Sequence, residues 1–459
     1  MSNDKAAPLK GSGPSASASG RPDWAAAIEW GLLAVGIGLF AAFLPHVPIG
    51  GDGATRFRSL VDLVDRHALS NARYSLAMPL AALPLYLLGK LAHDPQGFCA
   101  RANVVFFALG LFLLHRELAP EAGPGLSRKF LLALVAASMF PDHLESFYGE
   151  VFSALSAAIG LAALARERRL YGWTLLALSA WNSPPLAIGL GLVLAYRVGM
   201  LRPFGLRALW RKRTVELLGP LAAAALILGE AWLRHGDPFA SGYSGDHGMR
   251  TALPYSGQPG FSYPLFFGLL SLLFSAGKGL VFFAPGLLLP IRRLGASLGR
   301  AYGAQLLWLV FLAGLLLVYS RWWAWYGGWF WGPRFLLFAS IPAAFAIAAR
   351  LQDATATRRA DLVTLAVLLL SGWVALDGAV FWNDPAAYDV CSSGGYAVES
   401  FCWYVPEWSP LWRPFIQSRP LSGTDTAVAI YLALSTLWLA ASPVRRLLRP
   451  PAASGASGD

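Results

Sequence analysis

Asp52 is the first acidic residue that could take part in catalysis. It follows the first apolar run of the chain, within the segment GDGATRF. A carboxylate on a glycine-flanked turn can accept a proton from a hydroxyl group that approaches it. Arg56 and Arg58 follow closely and could neutralise a phosphate. Residues 54–67 have the periodicity of an amphipathic helix, so Asp52 could also be its N-cap, and the two roles are compatible.

A second acidic stretch, FPDHLESFYGE, places ionisable side chains beside another apolar run. Such groups are costly next to a membrane unless they are used, so the stretch is a candidate site. Its candidate residues are Asp142, His143, Glu145, Tyr148 and Glu150. A plain polar loop in which Glu150 caps the next helix is the simpler alternative. Asp52 with Asp142 or Glu145 could also hold a divalent cation through oxygen ligands.

Lys278 lies in the segment SAGKG, at the expected start of a membrane-crossing helix. A lysine combined with free backbone N–H groups at a helix start is suited to binding phosphate. The spacing lacks the first glycine and the GKS or GKT ending of a P-loop, so no nucleoside triphosphate is indicated. A lysine that extends to the membrane surface is the alternative. Tyr243, in the polar stretch before Lys278, is a further candidate for substrate contact.

The segment SRWWAWYGGWFWGPRFL, residues 320–336, is unusually aromatic. Trp and Tyr mark membrane interfaces, which explains part of the cluster. Aromatic rings also stack on the C–H faces of sugars, and guanidinium groups bind phosphate through paired hydrogen bonds. The candidates for binding a substrate that is part sugar, part phosphate and part lipid are Arg321, Trp325, Tyr326 and Arg334.

The elements that position these residues are expected to be membrane helices. The 459 residues are 56% hydrophobic and only 14% charged, which is too apolar for an ordinary soluble fold. The net charge of +11 comes from basic patches beside the apolar runs, so it indicates membrane orientation and no nucleic-acid binding. With these patches in the cytoplasm, we predict an all-α, polytopic transmembrane bundle of about 10–12 membrane segments, with interfacial helices on the extracytoplasmic side. The Arg-, Ala-, Gly- and Leu-rich composition suits a bacterial inner (plasma) membrane.

Charge also decides which apolar runs cross the bilayer. Residues 76–92 contain prolines and a lysine, and a crossing there would reverse every later loop, so we predict an interfacial helix. Residues 171–198 span about 42 Å as a helix, too little for two full crossings between basic flanks, so we predict a hairpin that turns at 182–185. Residues 264–275 are predicted to lie along the outer face before a crossing that ends at Arg292.

The predicted organisation concentrates the polar loops on one side of the membrane. It consists of a disordered cytoplasmic tail (1–23), a transmembrane catalytic module (24–350) with the outer loop 46–101, C-terminal transmembrane segments (351–449) with the outer loop 382–425, and a second disordered tail (450–459).

The three cysteines predict a structural disulfide and no metal site. Cys391 and Cys402 lie in the last outer loop, where an oxidising compartment permits a disulfide between them. Cys99 would remain free. No Cys or His spacing suits zinc.

The arrangement resembles the GT-C superfamily of integral membrane glycosyltransferases, in the bacterial branch related to protein O-mannosyltransferases and aminoarabinose transferases. The resemblance covers about residues 24 to 350. It is carried by GDGATRF, the interfacial segment YSLAMPLAALPLYLLGK, the Arg-started span RANVVFFALGLFLLHRE, and the segments SFYGEVFSAL, FSAGKGLVFFAPG and WYGGWFWGPRFL.

This resemblance implies catalysis at the outer face, a polyprenyl-phosphate sugar donor, and inversion at the anomeric carbon. It implies that an acidic residue of the first loop is the base, which here corresponds to Asp52. Many members carry an adjacent Asp-Glu pair, whereas Gly53 follows Asp52 here, which leaves Asp142 or Glu145 as substitutes. A monophosphate leaving group that is stabilised by cations requires no cofactor, although a divalent cation is possible. The acceptor is a lipid, a glycan or a protein.

Two other classes of function remain open from the sequence. A multi-pass transporter should show paired repeats and ionisable residues near the middle of the membrane. The chain has no clear repeat, and its candidate charges lie at the outer boundary. A non-catalytic membrane protein of envelope assembly would explain the missing Asp-Glu pair. Consumption of a lipid-linked sugar separates the enzyme from both.

Overall fold

The protein is described by a computed structural model for residues 23–44, 49–145, 147–200, 206–240, 242–243, 245–248, 250–328, 330–382, 398–417 and 420–449. The predicted tails at 1–22 and 450–459 lie outside these residues. In chain order, the helices are α1 Trp24–Phe43, α2 Gly51–Asp65, α3 Ala77–Ala81, α4 Leu83–Leu91, α5 Pro95–Ala100, α6 Ala102–Ala122, α7 Pro124–Ala136, α8 Phe140–His143, α9 Glu150–Ala165, α10 Arg169–Asn182, α11 Leu186–Met200, α12 Leu206–His235, α13 Leu265–Phe274, α14 Leu280–Phe283, α15 Gly295–Leu298, α16 Arg300–Tyr319, α17 Ser340–Gln352, α18 Arg358–Leu376, α19 Phe401–Tyr404 and α20 Gly423–Leu448.

Long apolar helices dominate the described part of the chain. The segments long and apolar enough to cross a membrane are Trp24–Phe43, Pro95–Ala122, Glu216–His235, Arg300–Tyr319, Arg334–Gln352, Arg358–Phe381 and Gly423–Leu448. Shorter apolar helices pack among them, and α7 is buried on nearly all sides at the centre of the bundle. The predicted all-α, multi-pass membrane bundle is therefore confirmed.

The segment 171–198 forms the predicted hairpin. Helix α10 ends at Asn182, because Ser183 precedes a proline and has an extended backbone (φ −140°, ψ 91°). Helix α11 begins at Leu186 and returns. Each arm is about 21–22 Å long at 1.5 Å per residue. The turn therefore lies at the end of the bundle that carries the acidic loops. The start of α10 and the end of α11 lie near the basic patches.

The segment 76–92 is also not a crossing. It consists of α3 and α4, which meet at Ala82 and pack against α2. Tyr86 donates a hydrogen bond to Asp65 at 2.5 Å, and Lys90 lies 2.6 Å from the same carboxylate. These contacts hold the segment against α2, and its interfacial position stays a prediction.

The crossing helix predicted after residue 275 is absent as a continuous element. Helix α13 ends at Phe274, and the chain then descends through the single-turn helix α14 and a 3-10 turn at Pro285–Leu288. Glycine and proline interrupt the helix, and Gly286 lies so close to the Ala343 carbonyl (2.4 Å from an ideal Cβ) that no side chain would fit. Lys278 therefore lies in an irregular turn and not at a long helix start.

One end of the bundle gathers the basic patches around buried carboxylates. Glu29 pairs with Arg128 at 2.6 Å and with Lys129 at 2.9 Å. At the same end, Glu117 binds Arg166 and Arg168, Glu216 binds Arg197, and Asp361 binds Arg446. Buried carboxylates with several cationic partners fix the register of the helices that supply them. The acidic and aromatic loops lie at the opposite end.

Candidate functional site

A cavity of about 1010 Å³ opens at the end of the bundle that carries the acidic and aromatic loops. Its wall is built from the start of α2, the segment before α3, the start of α9, the α10–α11 turn, the ends of α12 and α16, and the loop that follows α16. The predicted site residues that line it are Asp52, Arg56, Tyr148, Glu150, Tyr243, Arg321, Tyr326 and Arg334. Residues from distant parts of the sequence thus share one pocket.

Asp52 and Arg334 form an ion pair inside this cavity. The Arg334 Nη2 donates to Asp52 Oδ2 at 2.8 Å, and Arg334 Nε lies 3.8 Å from Glu150 Oε1. Asp52 is the second residue of α2, where the preceding Gly51 has a positive φ of 52° and lies against the Tyr148 hydroxyl. This backbone conformation favours glycine, so the local sequence turns the carboxylate toward Arg334.

Aromatic rings surround the Arg334 guanidinium. Its Cζ lies 5.6 Å from the ring centre of Tyr148, 5.2 Å from that of Phe330 and 5.0 Å from that of Phe335. Cation–π contacts of this kind stabilise a cation that has little access to water. Arg334 Nε has no hydrogen-bond partner within the described residues, so the guanidinium keeps a donor for a ligand.

The pKa of the Asp52 carboxyl group lies below its ordinary value. Burial acts to raise this pKa, but the charge of Arg334, hydrogen bonds with Tyr74 and Arg334, and the charge of Arg56 together outweigh burial. The Tyr74 hydroxyl has a raised pKa because it is buried and faces the Asp52 charge, so it stays protonated. Asp52 is therefore ionised at neutral pH and is able to accept a proton.

Arg56 is the second buried cation of the cavity. Its side chain is 8% exposed, and its Nη1 donates to Asn182 Oδ1 at 3.4 Å and to the Ser75 carbonyl at 3.3 Å. Asn182 is itself fixed, because its amide donates to the Gly149 carbonyl at 2.9 Å. Among the described residues, no carboxylate lies within ion-pair distance of Arg56, and its Nε has no hydrogen-bond partner. The charge of Arg56 is thus available to an anion.

The mouth of the cavity is polar and aromatic. Arg73 and Asp246 form an ion pair of 2.7 Å that joins the segment before α3 to the segment after α12. The Arg73 guanidinium also lies over the rings of Tyr74 and Tyr243, at 5.3 Å and 5.5 Å. Tyr243 meets Trp322 edge to face at 5.8 Å. The aromatic segment 320–336 therefore contributes Trp322 to the entrance of the cavity.

Arg321 and Tyr326 also line this region, but their polar groups or rings are largely engaged by protein. The Arg321 guanidinium donates to the Phe261 carbonyl at 3.0 Å. Tyr326 stacks on Trp403 with ring centres 3.8 Å apart. Trp325 is 1% exposed, packs against Trp403, and does not line the cavity. The prediction that Trp325 binds substrate is corrected accordingly, because its indole forms part of the core.

The structure places four further predicted residues away from the cavity lining. Arg58 is exposed on the far side of α2, where its guanidinium bonds to the Ala54 carbonyl of its own helix. Asp142 and His143 are 5% and 2% exposed, because α8 turns the second loop inward. Glu145 has contacts within the protein and likewise does not line the cavity. Asp142 and Glu145 are therefore not positioned to replace Asp52.

Lys278 also does not line the cavity. Its ammonium group, 3% exposed, donates to the carbonyls of Gly328, Phe330 and Gly332. The three bonds account for all three N–H donors of a lysine. The predicted phosphate contact is thus corrected: Lys278 binds the backbone of the aromatic segment just before Arg334.

Tyr74 and Asn182 are two of the cavity residues that the sequence analysis did not select. Tyr74 is the first residue of the segment YSLAMPLAALPLYLLGK, and this position was the only signal of a role. Asn182 belongs to the NSPP turn, which the charge argument had placed on the outer side. A polar amide at a turn facing the acidic loops was the available signal.

The described residues test the metal and disulfide predictions in part. Within them, no three His, Cys, Asp or Glu side chains are close enough together to hold a metal ion. Cys99 is free and buried, and Cys402 is disulfide-bonded. Its predicted partner, Cys391, lies outside the described residues, so the pairing stays a prediction.

The fold is similar to that of solved ArnT structures, so the GT-C-like fold that the resemblance predicted is confirmed at the level of the fold. The crystal structure of ArnT from Cupriavidus metallidurans in the apo state is similar with a TM-score of 0.53 at 15% identity, covering 91% of this chain and 77% of that chain. The crystal structure of the same ArnT bound to undecaprenyl phosphate gives 0.51 at 14% identity, with the same coverage.

More distant comparisons add no family assignment. The arabinosyltransferase EmbB from Mycobacterium smegmatis has a TM-score of 0.47 at 15% identity and covers 90% of this chain and 40% of that chain, which is too weak to support an inference. No protein-family model matches the sequence, and no curated protein is similar to it. The structural similarity therefore establishes the fold.

Proposed function

We propose that this protein transfers a sugar from a polyprenyl-phosphate donor to a hydroxyl group of an acceptor at the extracytoplasmic face of the inner membrane, with inversion at the anomeric carbon. The observation that carries the proposal is the cavity in which Asp52, Arg334 and Arg56 lie together, with no ion pair to Arg56 from the part of the chain that the structure describes. A base and two cations are the groups that this reaction needs.

The two arginines are suited to the phosphate of the donor. Arg334 has an unused Nε donor, and Arg56 has an unused Nε donor and no carboxylate partner within the described residues. Guanidinium groups bind phosphate through paired hydrogen bonds, and such bonds are strong where water is largely excluded. A phosphate between Arg56 and Arg334 would lie next to Asp52.

The cavity also has an apolar flank that suits the lipid part of the donor. Ile188 on α11, Leu228 on α12 and Leu317 on α16 line it and are 48%, 37% and 42% exposed. We infer that these exposed side chains face the bilayer, because each lies on an apolar helix. The polyprenyl chain could therefore remain in the membrane while the phosphate enters. The similar fold of ArnT was solved with undecaprenyl phosphate bound, which supports a ligand of this class.

The reaction then proceeds in one displacement. Asp52 accepts the proton of the acceptor hydroxyl, and the acceptor oxygen forms a bond to the anomeric carbon. The bond between that carbon and the phosphate oxygen breaks, and its electron pair leaves with polyprenyl phosphate. Arg56 and Arg334 stabilise the charge that develops on the leaving phosphate. Attack from the face opposite the phosphate inverts the anomeric centre.

The proposal is tested with the purified protein in vesicles and a panel of radiolabelled polyprenyl-phosphate sugars together with envelope acceptors. Asp52→Asn should slow transfer about 10²–10⁴-fold, the usual contribution of a general base. Asp62→Asn is the matched control, because Asp62 lies on the same helix and pairs only with Arg66. Near wild-type transfer by folded Asp52→Asn would remove Asp52 as the base. Sugar uptake without donor consumption would indicate a transporter, and neither process would indicate a non-catalytic protein.

A further inference from the structure

The segment 70–76, between α2 and α3, has no regular secondary structure but contacts both charged residues at the centre of the cavity. The Tyr74 ring lies 4.8 Å from Arg56 Cζ, and the Ser75 carbonyl accepts a hydrogen bond from Arg56 at 3.3 Å. The Tyr74 hydroxyl interacts with Asp52. Backbone groups of a nonhelical segment need partners elsewhere, so something must hold this segment in place.

Arg234, in the last turn of α12, supplies most of these partners. Its Nε donates to the Ser70 carbonyl at 2.7 Å, its Nη1 to the Tyr74 carbonyl at 2.7 Å, and its Nη2 to the Ala72 carbonyl. The Arg234 side chain is only 3% exposed. One guanidinium thus fixes three alternate carbonyls of the segment.

Glu230, one turn earlier on α12, completes the arrangement. Its carboxylate accepts hydrogen bonds from the Leu76 backbone N–H at 2.9 Å, the Ser75 hydroxyl at 2.8 Å and the Arg234 guanidinium at 2.5 Å. The Trp181 indole N–H donates to the same carboxylate. Four donors occupy the lone-pair directions of a carboxylate, so Glu230 has no capacity left for substrate although it lines the cavity.

We propose that Glu230 and Arg234 are positioning residues for the transfer reaction, which clamp segment 70–76 so that Tyr74 and Ser75 hold Asp52 and Arg56 in their reactive arrangement. The role in the reaction rests on the proposed function, whereas the clamp itself can be measured without any substrate. Neither residue touches the reacting atoms in this scheme. Each acts through the segment that it holds.

The clamp has a consequence for the pH dependence of the reaction. Asp52 is faced by Arg56 from its own helix, Tyr74 from segment 70–76, Glu150 from α9, Tyr243 from the loop after α12, and Arg334. Of these groups, Tyr74 is the one that the clamp places. Because the Tyr74 hydrogen bond lowers the pKa of Asp52, release of the segment should raise that pKa and move the acid limb of kcat/KM to higher pH. If a variant merely contained less folded protein, kcat/KM would fall at every pH and the acid limb would stay at the same pH.

Arg234→Met in the full-length protein, in lipid nanodiscs, tests the clamp by hydrogen–deuterium exchange. Losing hydrogen bonds from a charged group should speed exchange in peptides covering 70–76 by about tenfold or more. Arg197→Met is the matched control, because Arg197 is a similarly buried arginine (11% exposed) that pairs with buried Glu216 at the opposite end of the bundle. It should leave exchange in 70–76 unchanged. Wild-type exchange in Arg234→Met would overturn the clamp.

The positioning role is tested by transfer kinetics on the same variants from about pH 4 to pH 8, a range that contains the acid limb of a carboxyl group whose pKa rises. Arg234→Met and Tyr74→Phe should both move the acid limb to higher pH, with faster exchange in 70–76 only for Arg234→Met. Arg234→Lys should restore part of the rate. Fast exchange with an unmoved acid limb would reject the positioning role. If the wild type transfers no sugar, the proposed function fails, while the exchange data still decide the clamp.

Discussion

Among the described residues, the buried cation Arg56 has no carboxylate partner, and this is unfavourable unless an anion completes the site. Its hydrogen bonds to Asn182 and Ser75 are long, at 3.4 Å and 3.3 Å, and its Nε has no partner within the described residues. A charged group removed from water costs several kcal/mol unless it is paired and hydrogen-bonded. The polar lining of the cavity offsets only part of this desolvation free energy, and a bound phosphate would offset more of it.

Arg56→Met should therefore weaken donor use without weakening the fold. Loss of a charge-assisted contact to phosphate predicts an increase in the donor KM of about 10–100-fold. Because an incompletely paired charge is removed, the thermal unfolding temperature should not fall. Both quantities are measured on purified protein, by transfer kinetics and by thermal unfolding in detergent.

Arg58→Met serves as the control for this prediction, because Arg58 is exposed on the same helix and bonds only to its own turn. It should leave the donor KM unchanged. Equal KM values for Arg56→Met and the wild type would contradict a phosphate contact at Arg56. Arg56→Lys should give an intermediate KM, because an ammonium group keeps the charge but not the paired geometry.

Gly53 stands where many members of the GT-C superfamily, which the sequence resembles, carry the glutamate of an Asp-Glu pair. An ideal Cβ at this position would lie 3.2 Å from the Ile49 side chain and 3.3 Å from the Phe147 carbonyl. The second outer loop thus packs directly on α2 where a glutamate side chain would begin. A side chain at position 53 would require its neighbours to shift by a few tenths of an ångström.

The aromatic segment after α16 depends on an element that is far away in sequence. Gly327, Gly328 and Gly332 have positive φ values of 77°, 74° and 60°, so the backbone folds into an irregular loop. Its carbonyls at Gly328, Phe330 and Gly332 point to one ammonium group, that of Lys278. Lys278 thereby connects the turn after α13 to the loop that ends at Arg334.

Lys278→Met should destabilise the protein, because three buried carbonyls lose their donor at once. The free energy of unfolding should fall by about 2–4 kcal/mol, the range for breaking a buried charged network. The measurement is thermal or denaturant unfolding followed by tryptophan fluorescence.

Lys90→Met provides the comparison, since Lys90 is 47% exposed and pairs with Asp65 at the surface. An exposed pair contributes less than about 1 kcal/mol, so this variant should unfold close to the wild type. If Lys278→Met were as stable as Lys90→Met, the carbonyl contacts would not hold the loop.

Elements bounded by local signals were predictable from the sequence, whereas contacts between distant elements were not. The NSPP turn and the basic flanks were sufficient to predict the α10–α11 hairpin, because proline ends a helix and charge fixes the side. The continuous helix expected for the crossing after residue 275 was wrong, since Gly286 packs on the Ala343 carbonyl in a way that only the three-dimensional structure reveals. The same limit applies to Lys278 and Arg234, whose partners are backbone carbonyls fifty or more residues away.

At the scale of the whole molecule, the distribution of charge separates the two ends of the bundle. Buried Glu29, Glu117 and Glu216 each bind two or more cations at one end. At the other end, the Asp52–Arg334 pair joins residues 282 positions apart, so the first loop and the aromatic segment share one side. That juxtaposition was the geometric condition on which the sequence-based mechanism depended.

The positive-inside rule then orients the bundle, and this orientation is the last prediction. Cysteines introduced at Ala68, an exposed position in the first outer loop, and at Ala354, an exposed position between α17 and α18, report on the two ends. In intact spheroplasts, a membrane-impermeant maleimide should label the Ala68→Cys protein, whereas Ala354→Cys should react only after permeabilisation. The parent protein, whose free Cys99 is buried, gives the background. Labelling of Ala354→Cys in intact spheroplasts would reverse the orientation, and the cavity would then have to receive its donor from the cytoplasmic leaflet.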